Sequence, residues 1–252
     1  MHLIITDSYK QSAVLAARQT ADIVARKPNA LLGMATGTTP IPLYQELCRM
    51  QSQGEVNLSG VSTINLDEYV GLDGGDENSY LYFMRKYFLD PLGIPLSRVY
   101  IPNGVANPTA EIERMNDFAD QHPIDVQILS VGENGHIGFN EPADIFYDKY
   151  HLVELTESTR QANSRLFQDI SQVPERAITM GIGGIMRARK IVFLANGEKK
   201  LAAMKAILEE GDVTPKNQGT ILKFHQDCTI YLDQELAASI QPARHVQVTY
   251  AK

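Results

Sequence analysis

One stretch constrains this chain more than any other: VGENGHIGFNE, from Val131 to Glu141. It follows an apolar run, Val126-Gln127-Ile128-Leu129-Ser130-Val131, whose length and β-branched content predict a buried parallel strand. Gly132, Gly135 and Gly138 then let the backbone turn sharply and come close to a ligand. Between them sit Asn134, His136, Asn140 and Glu141, polar groups that a plain connector has no need to collect. A strand that ends in a glycine-rich crest with clustered acid–base groups predicts an active site on an α/β sheet.

The rest of the chain alternates in the same way. Apolar runs predict strands at HLIIT, ALLGM, STINL, VYI, YHLVEL, AITM, KIVFLA and CTIYL, with HVQVTY near the end as an edge strand. Helical periodicity is expected between them: from Tyr9 to Arg26, from Ile41, from Ser79 to Phe88, from Pro108 to Gln121, from Ile185 to Arg189, and after Asn196. This succession predicts an α/β fold, a mostly parallel sheet flanked by helices on both faces, with residues 1–252 as a single domain.

A net charge of −7 argues against nucleic acid or an anionic membrane as main partner, because both require concentrated Lys and Arg. A small phosphorylated molecule needs only a few local cations. Cys48 and Cys228 have neither disulfide nor metal-ligand spacing, and no apolar run reaches membrane-spanning length. The expectation is a soluble, cytoplasmic protein. No HExxH, GxSxG or GxGxxG motif occurs, so no metal, no hydrolase nucleophile and no dinucleotide cofactor is expected.

Three further places carry possible chemistry. The turn Thr36-Gly37-Thr38-Thr39 precedes a helix and offers backbone N–H groups and hydroxyls to a phosphate; the plainer alternative is an ordinary threonine N-cap. Asp67 and Glu68 lie at the carboxyl end of a strand, where ligand groups of open α/β sheets gather. Asp67 there is either a general base or a turn cap, and Glu68 is expected in solvent. His136, set between glycines rather than on an apolar face, reads as a proton-transfer group held by Glu141 or Asn134. The polar segment from Thr156 to Phe167 reads as a lid or as a solvated surface helix. Lysines of NGEKK either reach a phosphate or stay in water.

Taken in order, ATGTTP, INLDEYVGL, VGENGHIGFNEP, TRQANSR and NGEKK resemble the glucosamine-6-phosphate deaminases along essentially the whole chain. The resemblance implies a Rossmann-like sheet. It also implies an aldose–ketose isomerisation coupled to ammonia loss, with a sugar phosphate as partner and no cofactor. It assigns Asp67 as the base between C2 and C1, and His136 as the group that opens the pyranose ring. Glu141 becomes the support of that histidine, and the Thr36–Thr39 turn, Arg165 and Lys200 the phosphate-binding set. Asn134 departs from the Asp of some members, leaving the histidine's support one charge poorer, and Thr38 replaces a second glycine. His151-Leu152-Val153 stands where regulated members place an Arg–x–Lys pair, which implies no allosteric activation and a monomer or small homo-oligomer. Galactosamine-6-phosphate deamination, a 6-phosphogluconolactonase and a non-catalytic sugar-phosphate sensor are the competing functions. Asp67 in LDEY and Glu141 in FNEP fit the deaminase better than the lactonase, and a sensor would carry a helix-turn-helix ahead of the first strand.

Overall fold

The computed structural model describes residues 1–164, 167 and 169–251. Eight parallel strands form the main sheet in the order β11-β1-β10-β9-β6-β2-β3-β5. They are β1 (His2–Thr6), β2 (Leu31–Met34), β3 (Ser62–Asn65), β5 (Val99–Tyr100), β6 (Val126–Leu129), β9 (Ile191–Leu194), β10 (Cys228–Asp233) and β11 (Gln247–Ala251). The central strands LLGM, VQIL and IVFL are buried along their whole length, as strands covered on both faces must be. Successive side chains point to opposite faces, so Leu31 and Leu129 join one apolar core while Leu32 and Ile128 join the other.

The second of these cores lies under α1 (Tyr9–Arg26), α2 (Ile41–Ser52) and the helical stretch of α3 (Tyr80–Met84), a π-turn Arg85–Leu89 and α4 (Asp90–Leu92). Helix α1 starts where the Ser8 hydroxyl accepts the Gln11 N–H, and it buries the small stripe Ala13, Ala16, Ala17, Ala21 and Val24. The first core is closed by α5 (Pro108–Gln121), α7 (Ile182–Met186), α8 (Leu201–Leu208) and α9 (Gln234–Ala237), through Met115, Ile185, Met204 and Leu236. Asn107 caps α5 by accepting from the N–H groups of Thr109 and Ala110, with Pro108 at the first helical position.

A second sheet was not foreseen. Strands β4 (Asp67–Tyr69), β8 (Arg176–Thr179) and β7 (His151–Glu154) pair antiparallel in the order β4-β8-β7, above the carboxyl ends of the main strands. Leu66 is the joint between the sheets: its N–H bonds Met34 in the main sheet, and its carbonyl accepts from Met180 just after β8. The polar helix α6 (Glu157–Asn163) follows β7. The short helix expected from Ile185 begins three residues earlier. The N–H groups of Gly183 and Gly184 turn inward onto the carbonyls of Tyr147 and Asp148, a close approach that a side chain at 183 would block.

Candidate active site

Four neighbouring strands, β9-β6-β2-β3, deliver their carboxyl-end loops to one place. The loop after β2 carries Thr36 to Thr39, the step after β3 carries Asp67, the crest after β6 carries His136 and Glu141, and the turn after β9 carries Lys200. Chain order scatters these residues; sheet order makes them adjacent. Ligands of open α/β sheets bind in this position.

The N-cap alternative for the Thr36–Thr39 turn fails. Pro40 occupies the N-cap of α2 without any side-chain capping bond. The Thr39 hydroxyl instead accepts from Lys200 Nζ at 3.0 Å, and the Ser130 hydroxyl accepts from the same ammonium at 2.9 Å. Gly37 and Thr38 are exposed and Thr36 is half-buried, so the turn's surface stays open to an anion. Arg165, expected beside this phosphate set, lies outside the described residues. Ser130 is not legible as a site residue in the sequence, because a single hydroxyl at a strand end carries no pattern.

Asp67 is 5% exposed and caps no turn; among the described residues its carboxylate accepts no hydrogen bond. Burial, and then the neighbouring Glu68, push its pKa up to about 8. Glu68 is not solvated. It is buried and accepts from the N–H groups of Tyr69, Tyr80 and Leu81, which fixes α3 to β4. Burial lifts its pKa to about 7 against the pull of those three N–H groups. Two of these partners, Tyr80 and Leu81, are a dozen residues away, so no local spacing announces them. They also bring Tyr80 over Phe139 of the crest, ring centroids 5.9 Å apart.

The crest is folded tightly around its histidine. A Cβ at position 132 would fall 2.1 Å from His136 Cε1, so Gly132 is what lets the ring lie against the backbone. At the other end Gly138, with φ +60°, brings the crest within reach of Asp67: a Cβ there would meet Asp67 Oδ2 at 3.1 Å and Thr179 Oγ1 at 2.9 Å. Thr179 is the β8 partner of Asp67, and its hydroxyl also accepts the Phe139 N–H. Asp67 and His136 therefore border the same eleven-residue crest.

Hydrogen-bond directions around the half-buried His136 are fixed by groups that have no choice. Its backbone N–H can only donate, so the Asn134 atom it meets at 3.1 Å is the amide oxygen. The other end of that amide donates to Glu141 Oε2 at 2.8 Å. The ring's Nδ1, 2.6 Å from the Asn134 oxygen, must then carry hydrogen, which leaves Nε2 for a ligand. Glu141 Oε2 is 3.7 Å from Nδ1, so Asn134 bridges the two rather than displacing Glu141. Burial holds the imidazole pKa below its ordinary value; Glu141 and Glu133 pull it up, and Lys200 pushes it down.

Gly132→Ala is expected to displace the ring and lower kcat roughly 10²-fold, the scale of an ångström-sized misplacement. Binding of a hexitol phosphate, followed by calorimetry, should change little. Unchanged turnover would show that the ring's seat on Gly132 does not matter.

The cleft of about 360 Å³ lined by Arg26, Asp125, Arg189, Lys190 and Asp227 lies at the amino ends of the strands. Two ion pairs cross it, Arg189 with Asp125 and Lys190 with Asp227, and it shares no residue with the crest. Among the described residues no helix is long and apolar enough to cross a membrane.

Residues 6–226 match the family model of glucosamine-6-phosphate isomerases/6-phosphogluconolactonase. The chain is 43% identical over 239 residues to a glucosamine-6-phosphate deaminase of Clostridium perfringens, covering 94% of this chain and 98% of that one. It is 44% identical over 242 residues to one from Thermoanaerobacter sp., covering 95% of each. Among solved structures, a monomeric glucosamine-6-phosphate deaminase superposes with a TM-score of 0.90 at 39% identity, over 94% of this chain and 99% of that one. The 6-phosphogluconolactonase of Leishmania guyanensis, at TM-score 0.74 and 19% identity over 95% and 98% of the two chains, shares the fold. With the family model spanning most of its length and relatives above 40% identity covered nearly end to end, the chain belongs to the glucosamine-6-phosphate isomerase/6-phosphogluconolactonase family.

Proposed function

We propose that this protein converts glucosamine 6-phosphate and water to fructose 6-phosphate and ammonia. Carrying this reading is the Asp67 carboxylate on β4, buried and with no hydrogen-bond partner among the described residues, which faces the crest that holds an imidazole with its Nε2 left for a ligand. Identity of 43% to a deaminase favours this reaction over lactone hydrolysis, which the shared fold alone leaves open.

The steps follow from the groups in place. The phosphate sits on the Thr36–Thr39 turn with Lys200, and its binding energy orients carbons that lie far from it. Nε2 of His136 takes the proton of the anomeric hydroxyl and passes it to the ring oxygen, so the C1–O5 bond breaks and the aldehyde forms. A neutral imidazole suffices for this shuttle, in keeping with its depressed pKa. Asn134 and Glu141 hold Nδ1–H and stabilise the imidazolium that forms in passing. Asp67 removes the C2 proton and returns it to C1, while one proton of the 2-ammonium group passes to the aldehyde oxygen, so that C1 becomes CH2OH and C2 an iminium. The resulting C2 iminium takes up water and releases ammonia, leaving the ketose. The 2-ammonium group of the substrate, set beside Asp67, favours the ionised carboxylate that this step needs.

Lys200→Ala is expected to raise KM for glucosamine 6-phosphate about 10- to 100-fold with a smaller change in kcat, because it removes one charge-assisted contact to a remote group. Steady-state kinetics check this, and an unchanged KM would remove Lys200 from the phosphate site. Gel filtration should show a monomer or small oligomer, and N-acetylglucosamine 6-phosphate should leave the kinetics unaltered. Ammonia release from glucosamine 6-phosphate, run beside galactosamine 6-phosphate and 6-phosphogluconolactone, tests the reading as a whole. Turnover of the lactone alone would overturn it.

A further inference from the structure

Helix α6 is fastened to the site at both ends. Its first turn offers two hydroxyls to Glu141. The buried Thr159 donates to Oε1, and Thr156, the N-cap residue, approaches the same oxygen at 3.4 Å. At its other end the Asn163 amide donates to the Tyr69 hydroxyl at 2.9 Å, two residues along β4 from Asp67. Tyr69 in turn packs on Phe139 of the crest, ring centroids 5.5 Å apart.

An ionised carboxylate only accepts hydrogen bonds, so each neighbour of Glu141 must donate. Oε1 takes the threonine hydroxyls and Oε2 takes the Asn134 amide, whose oxygen holds Nδ1–H of His136. One directed chain thus runs from a helix to the reactive imidazole. Its length explains why a neutral Asn134 serves at this position: Asn134 relays an anion whose own place is set from α6.

We propose that Thr159, seconded by Thr156, is a positioning residue for the isomerising deamination. With α6 docked, its hydroxyl turns the Glu141 carboxylate onto Asn134 and so keeps Nε2 of His136 aimed at the sugar. This inference rests on the function proposed above.

The test compares Thr159→Val, which keeps the shape and loses the hydroxyl, with Thr159→Ser, which keeps the hydroxyl. Two quantities are read: kcat with glucosamine 6-phosphate, and the titration of the His136 ring followed by ¹⁵N NMR. The charged groups facing this ring are Glu141, Glu133 and Lys200, with Asp67 across Gly138. Thr159→Val should lower kcat about tenfold with little change in KM, the scale of one hydrogen bond to a charged group. It should also move the His136 midpoint to lower pH, since the Glu141 carboxylate, no longer held by the hydroxyl, turns away from Asn134 and stabilises the imidazolium less. Thr159→Ser should restore both to within about twofold. A Thr159→Val protein equal to wild type, or a Thr159→Ser protein as impaired as the valine variant, overturns the proposal. If the valine variant does not fold, Thr159→Ala is read in the same way. The titration needs no turnover: a wild-type protein that releases no ammonia overturns the functional reading alone, and an unmoved His136 overturns the clamp alone.

Discussion

Asp67→Asn is expected to lower kcat for ammonia release by about 10²- to 10⁴-fold, the usual worth of a positioned base. Affinity for a hexitol phosphate should stay within a few-fold, because the phosphate turn and Lys200 are untouched. The pH dependence carries a sharper signature. With its pKa at about 8 in the empty site, Asp67 should give kcat/KM an acid limb near that value, since this ratio reports the free enzyme. The limb for kcat should lie lower, because the bound 2-ammonium group favours the carboxylate. Stability changes in the opposite sense to activity. A carboxyl group whose folded pKa is raised above 3.8 binds its proton more tightly folded than unfolded. Stability therefore falls as pH rises from about 4 to about 8 and levels off above that. Asp67→Asn removes this penalty, so it should raise Tm by about 5 °C or more at pH 9 and change it little at pH 4. A variant that loses activity without gaining stability at high pH would mean that the carboxylate is better solvated than its burial indicates.

His136→Gln should cost a similar 10²- to 10⁴-fold in kcat, for a different reason. The amide can occupy the ring's seat against Gly132 but cannot take a proton from the anomeric hydroxyl and give it to the ring oxygen. The loss should therefore fall on ring opening. An open-chain hexitol phosphate, which has no ring to open, should bind the variant within about threefold of wild type by calorimetry. Turnover of glucosamine 6-phosphate within threefold of wild type would remove His136 from the reaction.

How far these groups were legible in the sequence depended on how local their partners are. The crest was legible because strand, glycines and polar groups follow one another without interruption. The antiparallel sheet was not. Ser62 to Tyr69 runs as one extended stretch, and only the divergent hydrogen bonds of Leu66 show where it passes from one sheet to the other. Glu68 was expected in water because no side chain near it in sequence pairs with it; two of its three N–H partners come from the start of α3, a dozen residues on. The segment that holds α6 reads equally as a lid or as a solvated surface helix, because it has no apolar stripe. Its buried face is polar for a reason that burial patterns do not encode: Thr159 meets a carboxylate and Asn163 a phenol. The threonine turn was ambiguous for the converse reason, since capping and anion binding ask for the same residues, and only the placement of Pro40 at the N-cap separates them.

The most direct measurement is a crystal structure with 2-amino-2-deoxyglucitol 6-phosphate bound. One hexitol should bridge the site, with its phosphate on the Thr36–Thr39 turn and Lys200, C2 about 3–3.5 Å from the Asp67 carboxylate and O5 within hydrogen-bond reach of His136 Nε2. A complex in which the hexitol touches His136 while Asp67 opens into a separate cavity would contradict the account.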